Sequence, residues 1–223
     1  MNKEATQIAK ITMNKDFKGF KVLRINPFET EPWILKKHYA KRMPSISFAF
    51  GLYDNQKLVG ICTYGMPASP FLCFGVCGEE HKDHVLELNR LCLDTDKKNA
   101  ASFLIANSMK FLPKPTIVVS YADKGQNHVG YVYQATNFLF TGTTKERTDI
   151  ASAEGNHSRH HSGDRSKRVD RSAKHRYVYF VANKKQKQEL IGKLNYPVLP
   201  YPKGDSKKYD AGGEVQTQDL LFV

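Results

Sequence analysis

An aspartate at the end of an apolar run is the first residue whose position suggests chemistry. Asp123 follows residues 116–120, whose sequence TIVVS is typical of a buried strand. Ligands of open α/β sheets bind beyond the carboxyl ends of the strands, so we expect this carboxylate where a reacting amine could be held. It would act there as a general base or hydrogen-bond acceptor, or as a metal ligand. The alternative is an aspartate that forms a turn before Gly125.

An arginine within a second apolar run predicts an anion site. Arg90 lies in residues 85–93, VLELNRLCL, which have the pattern of a central strand. An unpaired buried charge is costly, so Arg90 requires either a phosphate or carboxylate ligand or, as the alternative, a structural ion pair. Strict alternation along a strand places Glu87 and Asn89 on the face opposite Arg90. The predicted substrate contacts of the two strands are Asn89, Ser120 and Tyr121.

A histidine and a tyrosine follow one another near the end of a helical pattern. Residues 27–43 are predicted to form this helix, because Pro44 stops it. His38 lies beside Lys36, Lys37 and Lys41 in the sequence, and neighbouring cations lower the pKa of an imidazole. A solvent-exposed histidine without a function is the alternative.

The charge of the chain predicts a polyanionic partner. Lys and Arg outnumber Asp and Glu by 34 to 22, a formal net charge of +12. Neutralising phosphates releases counterions, so nucleic acid is the leading partner class. Residues 145–176, here called the basic arm, concentrate cations and carry almost no large apolar side chain, which predicts a solvated loop that orders against phosphates. Its predicted DNA-binding residues are Arg159, Arg165, Lys167, Arg168 and Arg171.

The remaining patterns predict one α/β domain. Strands are expected at residues 20–27, 47–53, 57–64, 85–93, 116–120, 138–144 and 177–182, and helices at 99–112, 128–136 and 183–194. Residues 1–195 would form a single transferase domain that includes the basic arm, and residues 196–223 an extended tail. No apolar run reaches the roughly 18 residues that a membrane span needs, so no membrane partner is expected.

Five short motifs in order resemble the core of the Mom family of phage DNA-modification proteins, over residues 30–144. They are HY at 38–39, ELNRL at 87–91, NAAS at 99–102, VSYAD at 119–123 and VGYVYQATNF at 129–138. The resemblance implies a GNAT-like fold, that is, a mixed central sheet flanked by helices. It also implies that adenine in phage DNA is converted to N6-carbamoylmethyladenine, which protects the DNA from host restriction enzymes in the cytoplasm of the infected bacterium.

The resemblance further implies functions for individual residues. His38, Arg90, Asp123 and Tyr133 would act in catalysis, and an iron requirement would make His38 and Asp123 metal ligands. Tyr133 lies in a Y-x-x-x-N-F run that resembles the Y-x-x-x-G-F of GNAT enzymes, where the tyrosine protonates the leaving group. We expect Tyr131 and Val132 to supply the local packing and to leave Tyr133 free. A buried core tyrosine is the alternative.

The partners expected on this basis are double-stranded DNA with its target adenine flipped out, tRNA, and a second copy of the chain. Tyr39, Tyr64 and Tyr121 are the aromatic side chains that could stack on the flipped base.

One family feature is missing, and it bears on the group donor. Residues 94–102 contain no glycine, whereas GNAT enzymes bind the pyrophosphate of acetyl-CoA there with a glycine-rich loop. The product that the resemblance implies also joins N6 through a CH2 carbon, which simple acetyl transfer cannot give. For both reasons the donor is expected to be an activated glycyl ester such as glycyl-tRNA, with acetyl-CoA as the alternative. The alternative functions are acetyl transfer to a small amine or protein, and nucleic-acid binding without catalysis.

Overall fold

A computed structural model of the chain describes residues 15–150, 166 and 168–204. The strands in these residues are β1 (Phe20–Arg24), β2 (Phe48–Asp54), β3 (Lys57–Gly65), β4 (Val85–Leu93), β5 (Thr116–Asp123), β6 (Leu139–Thr143), β7 (Arg147–Ile150), β8 (Arg168–Arg171) and β9 (Lys174–Val181). The helices are α1 (Pro70–Cys77), α2 (Ala100–Ser108), α3 (Tyr131–Ala135) and α4 (Lys184–Gly192), joined by shorter helical turns. None of the described helices is long and apolar enough to cross a membrane.

Seven of the strands form one mixed sheet in the order β1-β2-β3-β4-β5-β9-β6. Neighbouring strands are antiparallel except β4 and β5, which are parallel. Asn55, with a φ of 53°, allows the tight turn between β2 and β3, as the sequence Asp54-Asn55-Gln56 predicted. The mixed sheet flanked by helices that the sequence implied is confirmed.

The parallel strands β4 and β5 separate after a short paired stretch. Their pairing runs only from Val85 opposite Ile117 to Glu87 opposite Val119, although each strand continues for several residues beyond it. Past this point the hydroxyl of Ser120 donates a hydrogen bond of 2.9 Å to the carbonyl of Leu88 and bridges the two strands. Residues on either face of the sheet can therefore approach one another through this opening.

The helices cover the two faces of the sheet separately. On one face, here the α2 face, Cys62 and Tyr64 of β3 contact Ser108 of α2, and Tyr133 of α3 packs into the same apolar core. On the other, here the α1 face, Cys73 of α1 and Leu190 of α4 pack against side chains of β5 and β9. Both layers bury apolar surface and so hold β4 and β5 in place between them.

A β-bulge at Asn89 overturns the predicted alternation of β4. Leu88 pairs with Tyr64 and Arg90 with the adjacent Thr63, so Asn89 is an extra residue in β4. Thr63 lies between two residues of the α2 face, so Arg90, paired with it, lies on the α1 face. Glu87 lies on the α1 face too, opposite Val119. The prediction that Glu87 and Arg90 occupy opposite faces is therefore wrong.

The helix predicted for residues 27–43 is shorter and less regular than expected. A 3-10 helix spans Pro27–Thr30, a π-helical turn spans Trp33–Lys37, and the chain becomes extended at His38, with φ −77° and ψ 135°. The chain then crosses β3 closely, since a side chain at Gly65 would lie 1.8 Å from the carbonyl oxygen of Ser45.

The described part of the basic arm is a β-ribbon, which corrects the prediction of a solvated loop. β6 and β9 form an antiparallel pair, and β7 and β8 pair beyond it, from Arg147 opposite Arg171 to Ile150 opposite Arg168. Residues 174–176 belong to β9 of the main sheet. The ribbon is held by main-chain hydrogen bonds and carries few apolar side chains, which is why composition alone did not reveal it.

The segment that follows α4 is extended and packs along the edge strand β6. The amide of Leu199 donates a 2.9 Å hydrogen bond to the carbonyl of Phe140, and the hydroxyl of Tyr201 donates one of 2.8 Å to the carbonyl of Phe138. The guanidinium of Arg176 lies 3.4 Å from the ring centre of Tyr196. Residues 196–204 thereby cover an edge that would otherwise expose unpaired main-chain groups.

Candidate active site

His38 lies in the interior of the protein, so the alternative of a solvent-exposed histidine is wrong. Its side chain is 1% exposed, its Nδ1 accepts a 3.0 Å hydrogen bond from the amide of Ala40, and its ring stacks on Tyr39 with 4.6 Å between ring centres. Burial first, then Arg90 and His128, lower the pKa of His38 from 6.5 to about 2. The predicted lowering of the pKa of His38 is correct, but its main cause is burial and not the adjacent lysines.

Arg90 lies at the centre of the α1 face and makes its hydrogen bonds to main-chain carbonyls. Its guanidinium donates hydrogen bonds of 2.6 Å to the carbonyls of Asn89 and Arg42, and its buried Nε has no hydrogen-bond partner among the described residues. Burial and the proximity of Arg42 lower the pKa of Arg90 to about 10. The described residues form no salt bridge to Arg90, so the arrangement favours the anion-binding hypothesis over a structural ion pair.

Asn89 holds the neighbouring chain in place. Its Oδ1 accepts a 2.6 Å hydrogen bond from the hydroxyl of Thr63, and its Nδ2 donates one of 2.8 Å to the carbonyl of Ser45. The predicted substrate contact at Asn89 would therefore compete with two hydrogen bonds that the fold already uses.

The carboxylate of Asp123 is fully occupied by protein donors. Oδ1 accepts hydrogen bonds from the amide of Gly125, at 2.9 Å, and from the hydroxyl of Ser172, and Oδ2 pairs with the ammonium of Lys174. Burial opposes ionisation of Asp123, but these donors outweigh it and hold its pKa below the usual value. Asp123 thus forms the turn given above as the alternative, and it also fixes Lys174.

Glu87 and Arg42 join this group, although neither was a predicted site residue. Glu87 is close enough to Arg90, Lys174 and Arg42 for each cation to lower its pKa, yet burial is the larger effect and raises the pKa of Glu87 overall. The sequence signal for Glu87 was visible as an acid inside the apolar run 85–93. Arg42 gave no such signal, because it lies in an irregular segment whose position depends on the tertiary fold.

Tyr133 reaches the opening between β4 and β5 from the α2 face. It is fully buried, and its hydroxyl lies 2.8 Å from that of Ser120. Burial raises the pKa of Tyr133 well above its usual value. Tyr131 is 49% exposed, so the expectation that it packs in place of Tyr133 is wrong. Because α3 begins after Gly130, in the left-handed conformation, Tyr133 is the tyrosine of α3 that points into the core.

The three predicted stacking residues have different environments. Tyr39 is partly buried beside Asp123, Arg90 and Glu87, and burial raises the pKa of its hydroxyl to about 12. Tyr121 is partly buried on the α1 face. Tyr64 is fully buried, with its hydroxyl 2.7 Å from Ser108, so it cannot stack on a substrate.

The side chains do not fit the iron site that the resemblance implied. No three His, Cys, Asp or Glu residues in the described part of the chain lie close enough together to hold a metal ion. Both oxygens of Asp123 already accept hydrogen bonds, and the ammonium of Lys174 at this carboxylate repels a second cation. Ligation by His38 and Asp123 is therefore not supported.

The ribbon of β7 and β8 places part of the basic arm beside the site. Arg168 and Arg171 lie on β8, and Arg171 pairs with Asp149 at 3.6 Å. Arg171 and Asp149 are also close enough to Arg42 to change its pKa. Arg159, Arg165 and Lys167, the other predicted DNA-binding residues, lie outside the described residues.

The chain is 29% identical to the methylcarbamoylase mom of Escherichia phage Mu, over 83% of this chain and 86% of that protein. Among solved structures it is similar to Arabidopsis thaliana NAA60 in complex with acetyl-CoA, with a TM-score of 0.48, 14% identity, and 72% and 98% of the two chains covered. An aminoglycoside acetyltransferase from Legionella pneumophila matches with a TM-score of 0.44, 13% identity, and coverage of 78% and 95%. The model of the Mom protein family matches residues 19–203, and this chain belongs to that family.

Proposed function

We propose that this protein is a transferase that modifies N6 of adenine in phage DNA with a carbamoylmethyl group and so protects the DNA from restriction. The proposal rests on the 29% identity, over 83% of the chain, to the methylcarbamoylase of phage Mu. The net charge of +12 suits a DNA substrate. In a duplex N6 is engaged in base pairing, so the target adenine must leave the stack before it can react.

The geometry supports a distinct part for each side of the opening. Tyr39, stacked on His38 and packed against the core of the α2 face, offers an aromatic surface for the flipped base, and Tyr121 offers a second ring on the α1 face. Arg90, together with Arg42, presents positive charge to a phosphate of the same strand. Asp123 acts as a positioning residue, because it fixes the ammonium of Lys174 beside Glu87.

On the α2 face, Tyr133 is the proposed proton donor to the leaving group. Its raised pKa keeps the hydroxyl protonated at neutral pH. Ser120 bonds both to this hydroxyl and to the carbonyl of Leu88, so it orients the phenol at the point where β4 and β5 separate. A general acid held in this way contributes about 10² to 10⁴-fold to a rate.

The proposed donor is an activated glycyl ester such as glycyl-tRNA. N6 attacks the ester carbonyl, an N–C bond forms and the bond to the leaving alkoxide breaks, which yields an amide. The free amine of the glycyl group then attacks C6 of the purine through a five-membered ring. Opening of the ring breaks the old bond between C6 and N6, leaving the glycine nitrogen on C6 and the former N6 as the terminal carboxamide.

Nucleoside analysis of DNA tests the function and the donor together. The protein is expressed in bacteria fed with nitrogen-15 glycine, and the DNA is digested and examined by mass spectrometry. We expect a new adenine nucleoside with the mass of the carbamoylmethyl product and the label on the nitrogen attached to C6. An acetylated adenine would instead indicate acetyl-CoA as the donor.

Label in the terminal carboxamide alone would exclude the rearrangement and leave the function standing. Unmodified adenine in cells with abundant folded protein would contradict the proposed function. DNA from cells that carry the empty vector is the control.

A further inference from the structure

Glu87 occupies the position where the two central parallel strands part. It is the last residue of β4 that pairs with β5, opposite Val119, and on its other side it pairs with Gly65 of β3. The bulge at Asn89 brings Arg90 to the same face as Glu87. Glu87 therefore lies where the opening begins, close enough to Tyr39 and Tyr133 for its charge to raise the pKa of each hydroxyl.

The carboxylate of Glu87 differs from that of Asp123 in its availability. Among the described residues it accepts no hydrogen bond and makes no salt bridge, whereas three protein donors bind Asp123. A carboxylate that is already saturated with donors is a poor proton acceptor, because protonation would break those interactions. Of the two acids at the site, Glu87 is the one whose oxygens are free for a substrate.

Ionisable groups from six segments lie close enough to Glu87 to interact with its charge. Tyr39 and Arg42 precede β2, Arg90 lies on β4, Tyr121 on β5 and Lys174 on β9, with Tyr133 on α3 and Cys73 on α1 completing the set. The cations favour the ionised form of Glu87, and burial favours the protonated form and is the stronger effect. A carboxylate with a raised pKa is a stronger base than an ordinary glutamate.

We propose that Glu87 is the general base that takes a proton from N6 of the flipped adenine as it attacks the donor. This inference rests on the proposed function. The lone pair of the exocyclic amine is delocalised into the ring, so proton removal must accompany attack. The N–C bond forms, the N6 proton moves to Glu87, and Tyr133 protonates the departing alkoxide. A proton then returns from Glu87 to the Tyr133 phenolate before the next turnover.

Three measurements on purified full-length protein test this assignment, with DNA and glycyl-tRNA as substrates. Glu87→Gln keeps the shape of the side chain but removes the base, so its modification rate should fall by about 100-fold or more while DNA affinity is retained. The matched control is Glu79→Gln, because Glu79 is exposed and pairs only with Lys82 outside the site. Its rate should equal that of the wild type.

The second measurement is the pH dependence of the rate. The wild-type rate should fall in acid with a midpoint above 4.5, the ordinary glutamate value, as Glu87 becomes protonated. This acid limb should be absent from the residual activity of Glu87→Gln. The third is chemical rescue, in which formate restores activity to Glu87→Ala in proportion to its concentration, an effect that a merely structural role would not produce.

The outcomes separate the two levels of the proposal. If the wild type modifies adenine and Glu87→Gln does so at the same rate, Glu87 is not the base, and the proposed function stands. If the wild-type rate does not fall in acid with a midpoint above pH 4.5, Glu87 is likewise not the base, and the proposed function stands. This measurement uses the wild type alone, so it does not depend on whether a variant folds. If the wild type with both substrates modifies no adenine although DNA from cells that express it carries the product, glycyl-tRNA is not the donor, and the assignment of Glu87 as base for that reaction is overturned. If DNA from those cells carries no modified adenine either, the proposed function is overturned, and the assignment of Glu87 is overturned with it.

Discussion

At the residue scale, two buried tyrosines have nearly the same surroundings and differ mainly in where they lie. Tyr133 and Tyr64 are both fully buried, and each hydroxyl lies within 2.8 Å of a serine hydroxyl that also donates to a main-chain carbonyl. Only Tyr133 lies at the opening between β4 and β5. Tyr64 is therefore a natural control for the proposed proton donor.

Tyr133→Phe should lower the rate of adenine modification by about 100-fold or more, whereas Tyr64→Phe should leave it near the wild-type value. Each change removes one buried hydrogen bond, so both should reduce the free energy of unfolding by about 1 kcal/mol. Urea denaturation and nucleoside mass spectrometry measure the two effects separately. Equal rates in the two variants would remove Tyr133 from the mechanism.

At the element scale, a continuous hairpin links the site to the basic arm. β9 pairs with β5 beside Asp123 and with β6 on its other side, and the ribbon of β7 and β8 extends the pair of β6 and β9. The ribbon is a separate two-stranded sheet, and its Arg171 and Asp149 lie close enough to Arg42 to change the pKa of that arginine. This geometry supports binding of the ribbon to phosphates close to the target base.

Neutralising the ribbon should weaken DNA binding in a salt-dependent way. The double change Arg168→Gln and Arg171→Gln should lower the slope of log affinity against log salt by about 0.9 for each phosphate that the variant no longer neutralises. The control is Lys18→Gln with Lys21→Gln, two exposed lysines next to and on β1, at the opposite edge of the sheet. The measurement is DNA affinity at several salt concentrations from low to moderate. An unchanged slope in the ribbon variant would show that β8 does not contact DNA.

At the scale of the whole molecule, a buried neutral histidine links folding to pH. The pKa of His38 falls from 6.5 to about 2 on folding, so below pH 6.5 the unfolded chain binds a proton that the native protein does not. The stability that this residue contributes is fully present above pH 6.5 and is lost as the pH falls towards 2.

His38→Asn should therefore reduce the acid sensitivity of the fold. In the wild type, this one group should cost about 1.4 kcal/mol of unfolding free energy per pH unit below the unfolded pKa. His38→Asn should lack that contribution. The control is His84→Asn, because His84 is half-buried and lies away from the sheet opening. Urea denaturation between pH 7 and pH 5 measures the slopes, and equal slopes for wild type and His38→Asn would contradict the assignment.

Local patterns in the sequence were sufficient for the main elements and for the family. The apolar run 85–93 predicted the bounds of β4, and residues 116–120 predicted most of β5, because burial in a sheet imposes a pattern that the strand itself displays. The ordered motifs between residues 38 and 138 identified the family, and the excess of Lys and Arg predicted a polyanionic partner.

Only the tertiary structure decided which of these side chains meet. The bulge at Asn89 arises from pairing with β3, so alternation along β4 alone placed Glu87 and Arg90 on opposite faces. His38 is buried against Tyr39, which its lysine-rich neighbourhood in the sequence did not indicate, and Lys174 meets Asp123 because β9 inserts between β5 and β6. Sequence patterns report the surroundings of a single element. The burial of the side chains in a site, their charge and which of them meet depend on contacts between residues far apart in the chain.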